Sequence, residues 1–351
     1  MAYLRQGSGT LPALLFPLLL LLATTAFPQE EFGRNKVQYG GKNWYVVSTR
    51  HFDIHFTTNA GAIGEYAATH LEAMYDTVSR ILGFPLAKKV PIILYSTPAE
   101  FQQTNIIPYL LPEGVGGFTE IFKNRVVLPF EGSYIEFHHV LQHELVHAFL
   151  FDRQNSLGNK FAAASQQQIP LWFGEGLAEY ASLGWDLGSE FYIMDAVLFG
   201  YVGNPEGEFQ GFLAYKGGQL FYYYLAQTFG PALIRDWVRE VTKGKDMARA
   251  FKELTKVSLK EMGEIWLREI RAIYWPELKD RRYGKSVARQ LTDHNMDLSN
   301  INMQPALSPD GRKVAFFSDR RPQVGVYIMD IDQEKISRSV AYAGAVKGHL
   351  S

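Results

Sequence analysis

The sequence predicts an α+β chain, in which a small mixed sheet is followed by many helices and then by a short strand-rich tail. Three observations carry this reading. Short apolar or alternating runs near residues 44, 90 and 125 are rich in Tyr, Val, Ile and Phe, as strands are. Helical spacing dominates from Tyr134 to about residue 273. After Arg281 the pattern returns to strands around a Ser-Pro-Asp-Gly turn.

Taken in order, Trp44 to Phe56 reads as a strand or hairpin, and residues 61 to 82 as a helix that stops near Gly83. Val90 to Tyr95 and Arg125 to Leu128 are two short strands, separated by a loop carrying Gly114, Gly116 and Gly117. As an edge, Arg125 to Leu128 can pair with an extended substrate by strand addition. Tyr134 to Phe151 is a helix with Leu141, Leu145 and Ala148 on one buried stripe. Residues 152 to 168 are polar and read as loop. Pro170 opens the next helix, where its missing N–H costs little, and that helix runs through Trp172, Glu175 and Tyr180. Further helices follow at about 212–228, 231–243, 246–255 and 259–273. The tail has strands at Gln304 to Leu307, Lys313 to Ser318 and Gly325 to Asp330. One such unit cannot bury both of its faces, and repeat architectures need about three or more units. The sequence therefore reads as a fragment or truncated version of a longer protein.

Composition narrows the function. The formal net charge of −1 argues against nucleic-acid binding and against a polybasic membrane contact. The chain has no cysteine, which excludes disulfides, thiolate zinc sites, cysteine nucleophiles and a lipoprotein anchor on cysteine. At the N-terminus Arg5 precedes a leucine-rich stretch from Leu11 to Ala26, interrupted by Pro12 and Pro17. That stretch is short for a membrane span and reads as a signal peptide over residues 1–26, cut after Ala26. The body of the protein is expected outside the cytoplasm, periplasmic or secreted. It contacts a membrane only if the segment stays uncleaved.

His143-Glu144-Leu145-Val146-His147 fits H-E-x-x-H on a helix. Four residues advance about 6 Å and slightly more than one turn, so both imidazoles face one side. Each can then reach one zinc ion at about 2.1 Å, with Glu144 placed to take a proton from the water bound there. The pentapeptide alone is common, and a third protein ligand decides the matter. The segment Leu171 to Tyr180 offers Glu175 as that ligand. Glu179, one turn later, can fix the orientation of a ligating histidine. His139 and His147 are about 12 Å apart along the helix and cannot share one ion. His138 and His139 are therefore assigned to the start of the helix.

With Trp172-x-x-Glu175-Gly176-x-Ala178 downstream, the pattern resembles the gluzincin metallopeptidases, more narrowly the peptidase MA-like domains related to the aminopeptidase N clan. The resemblance implies a thermolysin-like zincin fold over about residues 40–280, with the metal ligands His143, His147 and Glu175. Tyr215-Lys216-Gly217-Gly218 resembles the clan's Tyr-x-Lys-Gly segment, whose tyrosine stabilises an oxyanion, which maps onto Tyr215; the lysine sits one place early. The exopeptidase members' Gly-x-Met-Glu-Asn strand is absent. Gly117-Phe118-Thr119-Glu120 holds a comparable place, with Glu120 as a weak stand-in for the amine anchor. The run Pro305 to Phe316 with Val326 to Asp330 resembles a blade of a TolB-like β-propeller, expected as an incomplete blade over 290–351. The expected function is zinc-dependent hydrolysis of peptide bonds in a peptide or protein substrate. The alternative is a catalytically silent zinc-binding scaffold that acts with a propeller in protein–protein interaction.

Overall fold

The computed structural model describes residues 41–107, 111, 115–156, 170–207, 209, 211–279, 282, 284–293, 299, 302–320 and 324–341. The signal segment, Gly114 and residues 157–168 of the expected loop lie outside the described residues. The chain divides into two compact units, one of residues up to Asp76 with Leu86–Asp152, the other of Thr77–Pro85 with everything from Arg153 onward.

In the first unit, the expected hairpin forms as β1 (Trp44–Ser48) and β2 (Phe52–Thr57), antiparallel to each other. Helix α1 (Gly61–Leu82) leads to β3 (Val90–Tyr95), which pairs parallel with β2. A short helix α2 (Pro98–Phe101), β4 (Phe118–Glu120), β5 (Arg125–Pro129) and α3 (Tyr134–Ser156) follow. The five strands order as β1-β2-β3-β5-β4. Parallel central strands need cover on both faces, and the side chains divide with period two. Ile93, Tyr95 and Val127 pack with Phe101, Ile107 and Leu111 on one face. Ile92, Leu94, Val126 and Leu128 alternate with them and are fully buried. This order corrects one expectation. β5 lies between β3 and β4, so Arg125 to Leu128 has no free side for a substrate strand; the edges of this sheet are β1 and β4.

Ser133 caps α3, its Oγ 3.3 Å from the Glu136 amide. The helix is buried nearly all round between Leu141 and Leu150, as a helix in the middle of a core must be. It packs on α1 through Tyr75 and Phe149, whose ring centres are 5.4 Å apart. It also runs past the expected end at Phe151, so residues 152–156 are helix rather than loop. No Gly or Pro interrupts it there, and the buried Asp152 carboxylate accepts a hydrogen bond from the Ala87 amide at 2.6 Å.

The second unit carries α4 (Leu171–Leu183), α5 (Leu187–Leu198), α6 (Phe212–Phe229), α7 (Pro231–Thr242), α8 (Met247–Thr255), α9 (Leu259–Tyr274) and the short α10 (Gly284–Val287). Helix α5 was not expected from the sequence; Asp186 caps it by accepting from the Ser189 amide at 3.0 Å. Caps at Asp246 and Ser258 start α8 and α9. The core of this unit is aromatic. Trp172, Phe173, Phe221, Tyr222, Trp237, Phe251 and Trp266 are all fully or nearly fully buried. Phe173 meets Trp237 edge-on at 5.0 Å, and Trp237 meets Phe251 at 4.8 Å. Helices α4 and α6 touch backbone to backbone: a Cβ placed on Gly176 falls 2.5 Å from the Cα of Gly218.

A four-stranded antiparallel sheet of β6 (Asn302–Leu307), β7 (Lys313–Ser318), β8 (Gly325–Asp330) and β9 (Lys335–Ala341) ends the described chain. The expected turn between β6 and β7 is held by Ser308 Oγ, 2.6 Å from Asp310 Oδ1, and by Gly311 at φ +69°. Val314, Phe316, Tyr327 and Met329 form its own small core. The sheet is open, and β9 adds one strand to the three expected. Among the described residues no helix is long and apolar enough to cross a membrane.

The glycine crossing makes a direct prediction. Gly176→Ala forces α4 and α6 apart and lowers unfolding stability by about 1–3 kcal/mol in urea titration. Gly61→Ala, at φ −55° with nothing within 4 Å of the added carbon, is neutral or slightly stabilising. Equal effects of the two substitutions would rule out the crossing as a constraint.

Candidate metal centre

Helix α3 places His143 and His147 one turn apart, both within its buried half. Their Nε2 atoms lie 3.2 Å apart. Two nitrogens bound to one tetrahedral ion at about 2.0–2.1 Å lie about 3.3 Å apart, so the pair fits a shared zinc. One ligand atom from each of His143, His147 and Glu175 lies within 4.8 Å of the other two, a group that could hold a metal ion. The donor set suits zinc, with two imidazoles and one carboxylate leaving a position open.

Glu144, directly after His143, is buried, with 7% of its surface exposed. Its carboxylate Oε2 is 2.7 Å from the hydroxyl of Thr119 on β4. The same hydroxyl lies 3.0 Å from the main-chain oxygen of Glu144. Sequence reasoning assigned Thr119 nothing; only its place beside the glycine pair before β5 pointed to it. Asn124, at φ 52°, anchors the next turn of the same helix by donating to the Ala148 oxygen at 3.0 Å.

His139 falls in a second group with His143 and Glu179, whose ligand atoms also lie within 4.8 Å of one another. Glu179 there carries the ammonium of Lys216, 2.6 Å from its Oε2. A cation already on that carboxylate opposes a divalent ion, so the group with Glu175 suits a metal better. His138 turns to α1, its Nδ1 2.9 Å from the Tyr66 hydroxyl.

Glu179 was expected to orient a histidine. The structure adds Lys216 as its partner, from the residue directly after Tyr215. A buried polar network continues from there. Gln219 Oε1 accepts from the Ser189 hydroxyl at 2.9 Å, and Gln219 Nε2 donates to the Gly184 oxygen at 2.9 Å and to Asp186 at 3.3 Å. Burial alone would raise the Asp186 carboxyl, but hydrogen bonds from Ser189 and Gln219 and the charge of Lys216 hold it below the ordinary range. Tyr215 is half-buried on α6, its ring stacked 6.1 Å from that of Phe212. Glu120 closes the turn after β4: it accepts from the amides of Phe122 and Lys123 and from Arg125 Nε at 3.0 Å. Those bonds hold the turn that joins β4 to β5.

No family model and no curated protein matches the chain. Among solved structures it is similar to an M1 zinc metallopeptidase from Deinococcus radiodurans, at 16% identity and a TM-score of 0.39, over 65% of this chain and 52% of that one. A second is to yeast LTA4 hydrolase, at 13% identity and a TM-score of 0.31, over 68% of this chain and 37% of that one. A third is to an aminopeptidase N family protein from Idiomarina loihiensis, at 10% identity and a TM-score of 0.27, over 86% of this chain and 69% of that one. The chain thus spans about half the length of the first of these proteins.

Lys216 and Glu179 have only 14% and 7% of their side chains exposed. Removing one member of such a pair leaves the other buried and uncompensated. Lys216→Met is expected to cost about 3 kcal/mol in urea unfolding, and Lys216→Arg much less. A Met variant as stable as the parent would show that the pair contributes nothing.

Proposed function

We propose that the chain is a zinc-dependent peptidase acting on peptide or protein substrates. What carries the reading is the convergence of His143, His147 and Glu175 ligand atoms, with a buried carboxylate, Glu144, between the two histidines in sequence. A third ligand on a separate helix is more than a chance pentapeptide provides. In this reading His143, His147 and Glu175 hold the ion and leave one position open. Zinc held by these three residues would supply Lewis acidity to the scissile carbonyl and would lower the pKa of a bound water toward about 7.

The rest of the chemistry belongs to the chain. Glu144 accepts the proton of the attacking water and delivers it to the leaving amine, within reach of both because it adjoins the ligands. The hydroxyl of Tyr215 donates to the oxygen that gains charge as the carbonyl becomes tetrahedral, an interaction stronger in the transition state than in the ground state. Glu179, held by Lys216, belongs to the supporting polar shell that fixes ligand orientation. The N-terminal segment is read as a signal that takes the protein out of the cytoplasm. The C-terminal sheet is read as part of a TolB-like propeller that can recruit a protein partner.

Glu144→Gln tests this most sharply, because it keeps size and polarity and removes the base. It should retain stoichiometric zinc by metal analysis while hydrolysis of a broad peptide library falls to background. Tyr215→Phe should lower kcat by about 10²–10³-fold with zinc retained. Zinc-loaded protein that cleaves no peptide, or full activity in Glu144→Gln, would return the chain to the silent-scaffold reading.

A further inference from the structure

We propose that Thr119 is a positioning residue for Glu144: its hydroxyl holds one carboxylate oxygen so that the other faces the water to be deprotonated. This rests on the peptidase reading. The geometry that carries it lies within one unit. β4 pairs with β5 through Phe118 with Val127, Thr119 with Val126 and Glu120 with Arg125. Alternation along the strand then separates neighbours: Phe118 packs on the cluster of Ile93, Tyr95 and Phe101, while Thr119 points the other way and meets α3.

Its Oγ1 reaches two acceptors of one residue, Glu144 Oε2 at 2.7 Å and Glu144 O at 3.0 Å. A hydroxyl has one proton to give, and the shorter contact goes to the carboxylate, a charged acceptor that makes the stronger bond. The segment just before the strand also lies close to the same side chain. A Cβ on Gly117 falls 3.3 Å from Glu144 Cγ and 2.4 Å from Leu128 Cδ2. The missing side chain at Gly117 therefore leaves just enough room for Glu144, and Thr119 pins its end. A glutamate side chain has three rotatable bonds, and an unheld carboxylate spends little time in the one orientation that proton abstraction needs.

Thr119→Val removes the hydroxyl and keeps the branched shape; Thr119→Ser restores a hydroxyl at the same place. The expected result is a fall in kcat of about 10- to 100-fold in Thr119→Val with KM nearly unchanged. Zinc stoichiometry should be retained, and Thr119→Ser should recover most of the rate. A Val variant with the parent's kcat, measured where Glu144→Gln is inactive, overturns the proposal and leaves the peptidase reading standing. Crystal structures of the parent and Thr119→Val provide a readout independent of turnover. The Glu144 carboxylate should occupy one orientation in the parent and a different or divided one in the variant. An unchanged carboxylate in the variant overturns the proposal too. If Glu144→Gln fails to affect any hydrolysis, the peptidase reading falls, and the crystal structures still decide what Thr119 does.

Discussion

Much of the second unit depends on one close approach, between the backbones of Gly176 and Gly218. A Cβ on either meets backbone of the other helix, at 2.5 Å from Gly218 Cα in one case and 2.8 Å from Gly176 Cα in the other. Only glycine permits that distance. The contact fixes the two helices side by side, and the chemistry-bearing residues lie within about one turn of the glycines: Glu175 and Glu179 on α4, Tyr215 and Lys216 on α6. The ion pair of Glu179 with Lys216 then has a definite geometry, and Trp172, fully buried a turn before Glu175, locks α4 against rotation.

The first unit answers with a different device. Its catalytic candidate sits on a helix buried nearly all round, so Glu144 is kept in the interior and needs a partner there. The edge strand β4 supplies it through Thr119. Strand and helix are thus joined at the side chain where chemistry is expected, and the edge that the sheet leaves over carries a polar tether at that point.

The histidine pair, Glu175 and the long helices were legible in the sequence because their signals are local: a four-residue spacing, an apolar stripe, a proline or a cap at the start. The hairpin of β1 and β2 and the Ser-Pro-Asp-Gly turn were legible for the same reason. What was not legible is set by pairing between distant segments. The position of β5 inside the sheet follows from a partner strand of only three residues, too short to show alternation. Thr119 acts on Glu144 across 25 positions, and no periodicity announces such a contact. Lys216 was seen as displaced from a familiar place; its role as the partner of Glu179 became visible only with α4 and α6 side by side. Residues 152–156 were read as loop from polarity, yet polar residues extend a helix readily when no breaker intervenes.

Zinc-dependent hydrolysis as proposed requires His143, His147 and Glu175 to share one ion. Anomalous diffraction at the zinc edge, from crystals of the zinc-loaded protein, measures this directly. A single strong peak is expected about 2.0–2.2 Å from a nitrogen of His143, a nitrogen of His147 and an oxygen of Glu175. A peak bound instead by His139, His143 and Glu179, or no zinc at these residues at all, would contradict it.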